Sequence, residues 1–191
     1  MTVKEILYKA DLLLDAGLPQ GFFQGQSTDQ AVIEAVNSNA LVQQLVKCVN
    51  LVCDEIATEY FPLVQTQTVN VTNGEIDFSV FDSKVQSVVS VKDEIGKSVD
   101  FCYTPHGLEN LSCKRASVRY QVAYQWADFW GEVSFGSPQV TSRVVAYGVV
   151  AQYYLLCGNY DQAKSWSARF YASLQQCKRG GKLVMPKRRW L

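Results

Sequence analysis

SNALVQQLVKCVNLVCDEIATEYFP (38–62), followed directly by LVQTQTVNVTNGEIDFSVF (63–81), changes its pattern in mid-chain. In the first stretch apolar residues recur at Leu41, Leu45, Val49, Val52, Ile56 and Tyr60, spaced by four, four, three, four and four. A helix completes a turn every 3.6 residues, so these positions share one face over about five turns, and Pro62 cannot continue it. In the second stretch, Gln67 to Val71 and Glu75 to Val80 flank Asn73-Gly74. Both central residues tolerate positive φ, which predicts a β-hairpin closed by a type I′ turn. A helical framework interrupted by strands follows from this one switch.

The β pattern continues downstream. Lys84 to Lys92 alternates and is rich in valine, Asp93-Glu94-Ile95-Gly96 reads as a turn, and Ser98 to Tyr103 as a further strand. After a turn at Thr104-Pro105-His106-Gly107, Ser117 to Trp126 sets Val118, Tyr120, Val122, Tyr124 and Trp126 on one face. Five or six short strands between 67 and 126 suit a small antiparallel sheet or sandwich.

Helices are expected on both sides of it. Thr2 and Glu5 match a capping box and predict a helix from Val3 to Ala16, closed by Gly17. GLPQGFFQGQS (17–27) reads as a mobile loop that exposes Phe22 and Phe23, and Asp29 to Asn37 suits a short helix. Beyond Pro138, Val140, Val144, Tyr147, Ala151 and Tyr154 share a stripe that ends at Gly158-Asn159. A second helix from Asp161 carries Ala163, Trp166, Phe170, Leu174 and Cys177. So short a connection predicts an antiparallel hairpin. Gly180 and Gly181 then break the helix as a hinge, and Pro186 favours an extended arm. The expected fold class is α+β. A helical core (1–62 and 136–178) carries an inserted small antiparallel β domain (63–135) and an extended basic C-terminal arm (179–191).

Composition excludes several classes. The 191 residues are 48% apolar and 19% charged, enough for one substantial core, which rules out disorder over most of the length. MTVKEILYKADLLLDAG (1–17) carries five charges and lacks the unbroken apolar centre of a signal peptide. The longest uncharged run, Val144 to Tyr160, is broken by glycines, Gln152 and tyrosines, and reads as a buried helix rather than a membrane span. Cytosolic synthesis is the expectation. Among six cysteines no CxxC occurs, and Cys48 and Cys53 lie about 140° apart on a helix. With His106 the single histidine, no metal or cofactor is expected, and most thiols read as small hydrophobes.

The formal net charge of zero hides an asymmetry. Residues 1–161 hold all 18 acids and ten bases, a net of −8, whereas the last 30 residues hold eight bases and no acid. Six of those eight, Lys178, Arg179, Lys182, Lys187, Arg188 and Arg189, precede Trp190 and Leu191 at the end of the sequence. Such a segment suits an arm that docks on an acidic partner with an apolar anchor. Nucleic acid is a poorer partner, because the acidic remainder would repel a long phosphate backbone.

Catalytic patterns are sparse. No GxSxG, HExxH or phosphate-loop motif occurs. Asp77, Asp82, Asp93, Glu94 and Asp100 fall at strand ends and turns, where acids are common, and His106 sits in a turn. A non-enzymatic role is expected; the catalytic alternative rests on these acids with His106. Tyr120, Tyr124, Trp126, Phe129, Trp130 and Phe135 invite a second alternative, a carbohydrate platform, although aromatics at strand spacing more often form one face of a core.

The helix ending VNLVCDEIATEYFPL (49–63), the strands of VNVTNGEIDFSVF (69–81) and VQSVVSVKDEIGKSVDF (85–101), the helical hairpin, and the tail KRGGKLVMPKRRWL (178–191) together resemble the head–tail adaptor, or connector, proteins of tailed bacteriophages. Residues 138–191 carry most of the resemblance. It implies a structural virion protein of the neck, present in the host cytoplasm during assembly. Such proteins form a ring, usually twelve-fold, beneath the portal, with C-terminal arms reaching into portal grooves. The implied arm comprises Lys178, Arg179, Lys182, Lys187, Arg188, Arg189, Trp190 and Leu191, with Gly180 and Gly181 as hinge. The Phe22-Phe23 loop would meet a neighbouring subunit or the tail. The implied partners are the portal, the tail or next neck protein, and further copies of the chain; DNA would pass through without specific binding. Simpler members are shorter and nearly all helical, so the β insert is a departure. It leaves a tail-side ring protein, or a virion module that binds a receptor or carbohydrate through the insert, as the alternative.

Overall fold

Local capping sets most helix boundaries. In the computed structural model, which describes residues 1–179, the Thr2 hydroxyl accepts the Glu5 N–H while the Glu5 carboxylate accepts the Thr2 N–H, opening α1 (Val3–Leu14) with the expected reciprocal box. Asp15 ends α1 in the left-handed region at φ 51°, two residues before the predicted stop at Gly17. Asp29 caps α3 (Gln30–Ser38), and Asn39 caps α4 (Ala40–Glu55) by accepting from the Val42 N–H. A π-helical turn, Ile56–Tyr60, prolongs α4 almost to Pro62. The later helices are α5 (Ser142–Leu156) and α6 (Tyr160–Arg179), joined by three residues with Gly158 at φ 76°.

The described chain forms two units, one of Met1–Ile56 with residues 126–179, the other of Ala57–Gln125. In the helical unit α5 is the shared partner: α6 lies along it, α1 and α4 also pack on it, and α3 packs on α4. The predicted α4 face is the buried one, with Leu45, Val49, Val52 and Ile56 inside. The α5 stripe is rotated from the expected one. Val140 and Ala151 are buried as expected, but Val144, Tyr147 and Tyr154 are half-exposed while Val145, Ala146, Val149 and Val150 are buried. Apart from Ser142, Arg143 and Gln152 that helix is apolar or tyrosine around its circumference, so period alone could not select its inner face.

The expected insert boundary, 63–135, moves at both ends. Residues 126–135 lie in the helical unit because backbone bonds tie them there. Val3 N donates to Gly131 O at 3.0 Å, and Val133 N donates to Met1 O at 2.8 Å. Buried Asn50 closes the same junction, donating to Ala127 O at 2.9 Å and accepting from Ala127 N at 2.8 Å.

The β unit holds two antiparallel three-stranded sheets. One has the order β1 (Val64–Asn70), β6 (Arg115–Val122), β3 (Val85–Lys92); the other β2 (Ile76–Asp77), β5 (Gly107–Glu109), β4 (Cys102–Tyr103). Asn73 and Gly74 adopt φ 56° and 80° as predicted, yet the hairpin stops at the single Thr72–Glu75 bridge. Strand β1 instead pairs with β6 over seven residues, and β2 leaves for the other sheet, where Asp77 caps a short 3-10 turn. Both sheets feed one core: Val69, Val91, Val118 and Tyr120 from the first meet Ile76 and Leu108 from the second.

Gly107 permits the closest backbone approach in this unit. A Cβ there would lie 2.0 Å from the Ile76 carbonyl oxygen, which no rotamer change can relieve. Gly107→Ala should unpair β2 from β5 and cost about 2–3 kcal/mol, limited because a strand so short can shift. A urea midpoint equal to that of the unaltered protein would contradict this.

Candidate functional site

Only the beginning of the expected binding arm falls within the described residues. Lys178 falls in α6, as the expected core boundary has it, and α6 runs one residue further, through Arg179, which moves the start of the arm beyond 179. Lys178 is exposed. Gly180, Gly181, Lys182, Lys187, Arg188, Arg189, Trp190 and Leu191 lie outside the described residues.

The Phe22-Phe23 segment differs from its expectation as an exposed loop. Gln20–Gln24 forms a five-residue helix, α2, with Phe22 buried and Phe23 half-buried. The Phe23 ring stands edge-on to Tyr8 with centroids 5.3 Å apart, and lies 6.3 Å from Phe129, which in turn contacts Trp130 at 4.9 Å. Lys4 crosses the end of this row, its Nζ 5.2 Å from the Trp130 ring centre and donating to Gly25 O at 3.0 Å. Phe22 therefore packs inward and is withdrawn from contact with a partner; the aromatics that hold Phe23 are supplied by α1 and by residues more than 100 positions away.

Two adjoining open clefts flank this row. One, of about 360 Å³, is lined by Thr2, Lys4, Ser27, Thr28 and Trp130 with Gln24 to Gln26; the other, of about 270 Å³, by Lys4, Glu5, Tyr8, Gln20, Phe23 and Gln24. They offer hydroxyls, amides, the Glu5 carboxylate already engaged by the Thr2 N–H, and one ammonium already engaged by a carbonyl and an indole.

The aromatics of the alternative platform reading are dispersed. Strand β6 ends at Val122; Tyr120 is fully buried, Tyr124 half-buried, and Trp126 is 64% exposed. Phe129 and Trp130 belong to the helical unit.

Three of the five carboxylates of the catalytic alternative, Asp77, Asp93 and Glu94, accept structural hydrogen bonds. Asp77 accepts from Ser79 N at 2.7 Å, and the hydrogen bonds from Ser79, backbone first, hold its carboxyl below the usual range. Asp93 accepts from Ile95 N and Lys97 N at 3.0 and 2.8 Å, and Glu94 from Arg115 N at 2.9 Å. His106 is exposed in the turn before β5. Of the thiols, Cys48 and Cys53 are buried, and Cys102 and Cys157 are exposed. Burial, with neighbouring Cys157 second, pushes the Cys48 thiol up to about 11, which makes it a poor nucleophile. Among the described residues no group of three or more His, Cys, Asp or Glu side chains is placed to hold a metal, and no helix is long and apolar enough to cross a membrane.

One surface feature went unread in the sequence. On the α5–α6 hairpin, Arg143 Nε donates to the Tyr147 hydroxyl at 2.6 Å with its guanidinium 5.7 Å from that ring. Tyr147 lies 5.8 Å from Trp166, and the Arg169 guanidinium lies 4.9 Å from the Trp166 ring centre. The spacing Arg143/Tyr147 (i, i+4) and Trp166/Arg169 (i, i+3) was the available signal, because such pairs meet on a helix surface.

Compared with known proteins, the chain matches no family model, and no curated protein is similar to it.

Proposed function

We propose that the chain is a structural neck protein of a tailed-bacteriophage virion. In this reading it is a head–tail adaptor that docks on the portal ring through its basic C-terminal segment, assembles into a ring and joins head to tail around the DNA conduit. No step of this role is catalytic. The observation that carries the reading is the course of the chain after residue 141. Helices α5 and α6 form a hairpin with a three-residue turn, and α6 leads directly into residues 180–191, which hold four bases, no acid and a final Trp190-Leu191. A hairpin that leads into a basic segment carrying Trp190 and Leu191 suits an acidic groove on a partner, where charge speeds encounter and the indole anchors it. Many copies on one ring would multiply a weak single contact.

The test is to mix the protein with the portal ring of the same virion and image the mixture by negative stain. A collar on the ring, lost on removing residues 180–191 while far-UV circular dichroism shows the helices intact, is the expected result. Reversing charge at Lys187, Arg188 and Arg189 should weaken docking most at low salt. A bare ring beside free, folded protein would overturn the reading.

A further inference from the structure

Exposed charge in the helical unit is sorted by element. On the α5–α6 hairpin, Arg143, Lys164, Arg169 and Lys178 are exposed, against Asp161 alone. Over residues 1–56, Asp15, Asp29, Glu34 and Asp54 are exposed, with Glu5 in its capping box, against Lys47. Helix α6 packs chiefly on α5, α5 meets α1 and α4, and α3 packs on α4; α6 also reaches α4, where the Tyr171 hydroxyl donates to Glu55 Oε1 at 3.0 Å. Neither Arg143 nor Arg169 has a carboxylate partner among the described residues; each guanidinium lies instead by an aromatic ring of the Tyr147–Trp166 pair. A guanidinium steadied by a ring keeps its outer N–H groups for a carboxylate and loses less rotamer freedom on binding.

We infer that the outer face of the α5–α6 hairpin, centred on Arg143 and Arg169, docks on the acidic N-terminal helices of a second copy of this chain, forming a head-to-tail contact. Both halves of the charge complement lie in one unit, so every copy offers a donor face and an acceptor face, the arrangement of a heterologous interface. A protein carboxylate is favoured over a phosphate backbone because residues 1–179 carry 18 acids and 14 bases, and a net-negative body repels a polyanion. The contact deepens the ring reading above by naming its two faces, but its test needs no portal. A failure of portal docking would leave it standing, and its own failure would not remove the arm's role.

The experiment pairs two charge reversals in the full-length protein. Variant one is Arg143→Glu with Arg169→Glu; variant two is Glu34→Lys with Asp54→Lys, both exposed and neither a helix cap. Sedimentation velocity over a concentration series should show that the unaltered protein self-associates. That association should weaken as salt rises from about 0.1 to about 1 M and the screening length falls from ~10 to ~3 Å. Each variant alone should need roughly a hundred-fold higher concentration, because like charges then face each other. An equimolar mixture should recover the original association, since every contact is again between opposite charges. Three results would each overturn the proposal: a wild-type protein monomeric throughout the series, a variant that associates unchanged, or a mixture of two folded variants that stays apart. Should either reversal unfold, Arg143→Gln with Arg169→Gln must lower the salt dependence of association, and an unchanged slope refutes the contact. A wild-type protein that stays monomeric yet shifts a labelled DNA duplex, with the shift lost in variant one, would assign the face to phosphate instead.

Discussion

Replacing Tyr120 by alanine is expected to destabilise the 57–125 unit by about 3–5 kcal/mol, the range for losing a large buried aromatic. Tyr120 lies on β6, the middle strand of its sheet, opposite Gln65 of β1 and Val88 of β3. Its ring is fully buried and meets Phe81 edge-on at 4.8 Å between centroids. The deletion therefore opens a void in the core that both sheets share, and short strands have few other contacts to offset it. Tyr120→Phe separates packing from polarity. The hydroxyl has Gln65 Oε1 at 3.1 Å and Gln67 Oε1 at 3.3 Å, and both glutamines reach solvent, so its removal strands no buried acceptor. That variant should lose only about 1 kcal/mol. Hydrogen exchange at the β1, β3 and β6 amides would report both; equal losses for the two variants would mean that the hydroxyl, not the ring, holds the sheet.

Gly148→Val should cost about 3 kcal/mol or somewhat more, for the opposite reason of overfilling. At Gly148 three helices converge: a Cβ would lie 2.7 Å from Val52 Cγ1 on α4 and 3.0 Å from the Phe170 ring on α6. Val52 and Phe170 are themselves buried, so neither has space to withdraw. Gly148→Ala is the finer test because two effects compete. Alanine gains roughly 1 kcal/mol of helix propensity over glycine, whereas the contact forces the helices apart at a cost of roughly 1–3 kcal/mol. The net should be a smaller loss than for valine. Thermal unfolding followed by far-UV circular dichroism checks the order, and an alanine variant more stable than the unaltered protein would show that the helices yield easily.

These two residues also mark the limit of what the sequence reveals. Tyr120 stood out as part of an alternating strand, and the spacing placed it correctly inside. Trp126, at the end of the same alternation, is exposed, because the strand stops at Val122 and the chain leaves the β unit. Gly148 is visible as a glycine inside the uncharged run Val144 to Tyr160, yet the choice of Val52 and Phe170 as its neighbours was not legible. The candidate contact loop fared differently. Phe22 and Phe23 sit among glycines and a proline, which reads locally as a loop, but burial of Phe22 and the packing of Phe23 on Tyr8 and Phe129 outweigh that local preference. The Arg143–Tyr147 and Trp166–Arg169 pairs are each visible at helical spacing, but their alignment into one surface needs the hairpin to close.

What the sequence determined by itself is therefore everything governed by neighbours a few residues apart. Thr2 with Glu5, Asp29 and Asn39 satisfy the free N–H groups of the turns that follow them, and Asn73, Gly74 and Gly158 accept positive φ. These local terms place the helix starts, the tight turn and the hairpin, and with the charge count they fix an α+β chain with a basic end. Only the tertiary structure decided which strands pair, which side of α5 faces inward, where residues 126–135 belong, and that Phe22 is covered. Each of those depends on apolar area buried between segments tens to more than a hundred residues apart. That burial is roughly proportional to area and indifferent to direction, so no local pattern encodes which surface will supply it.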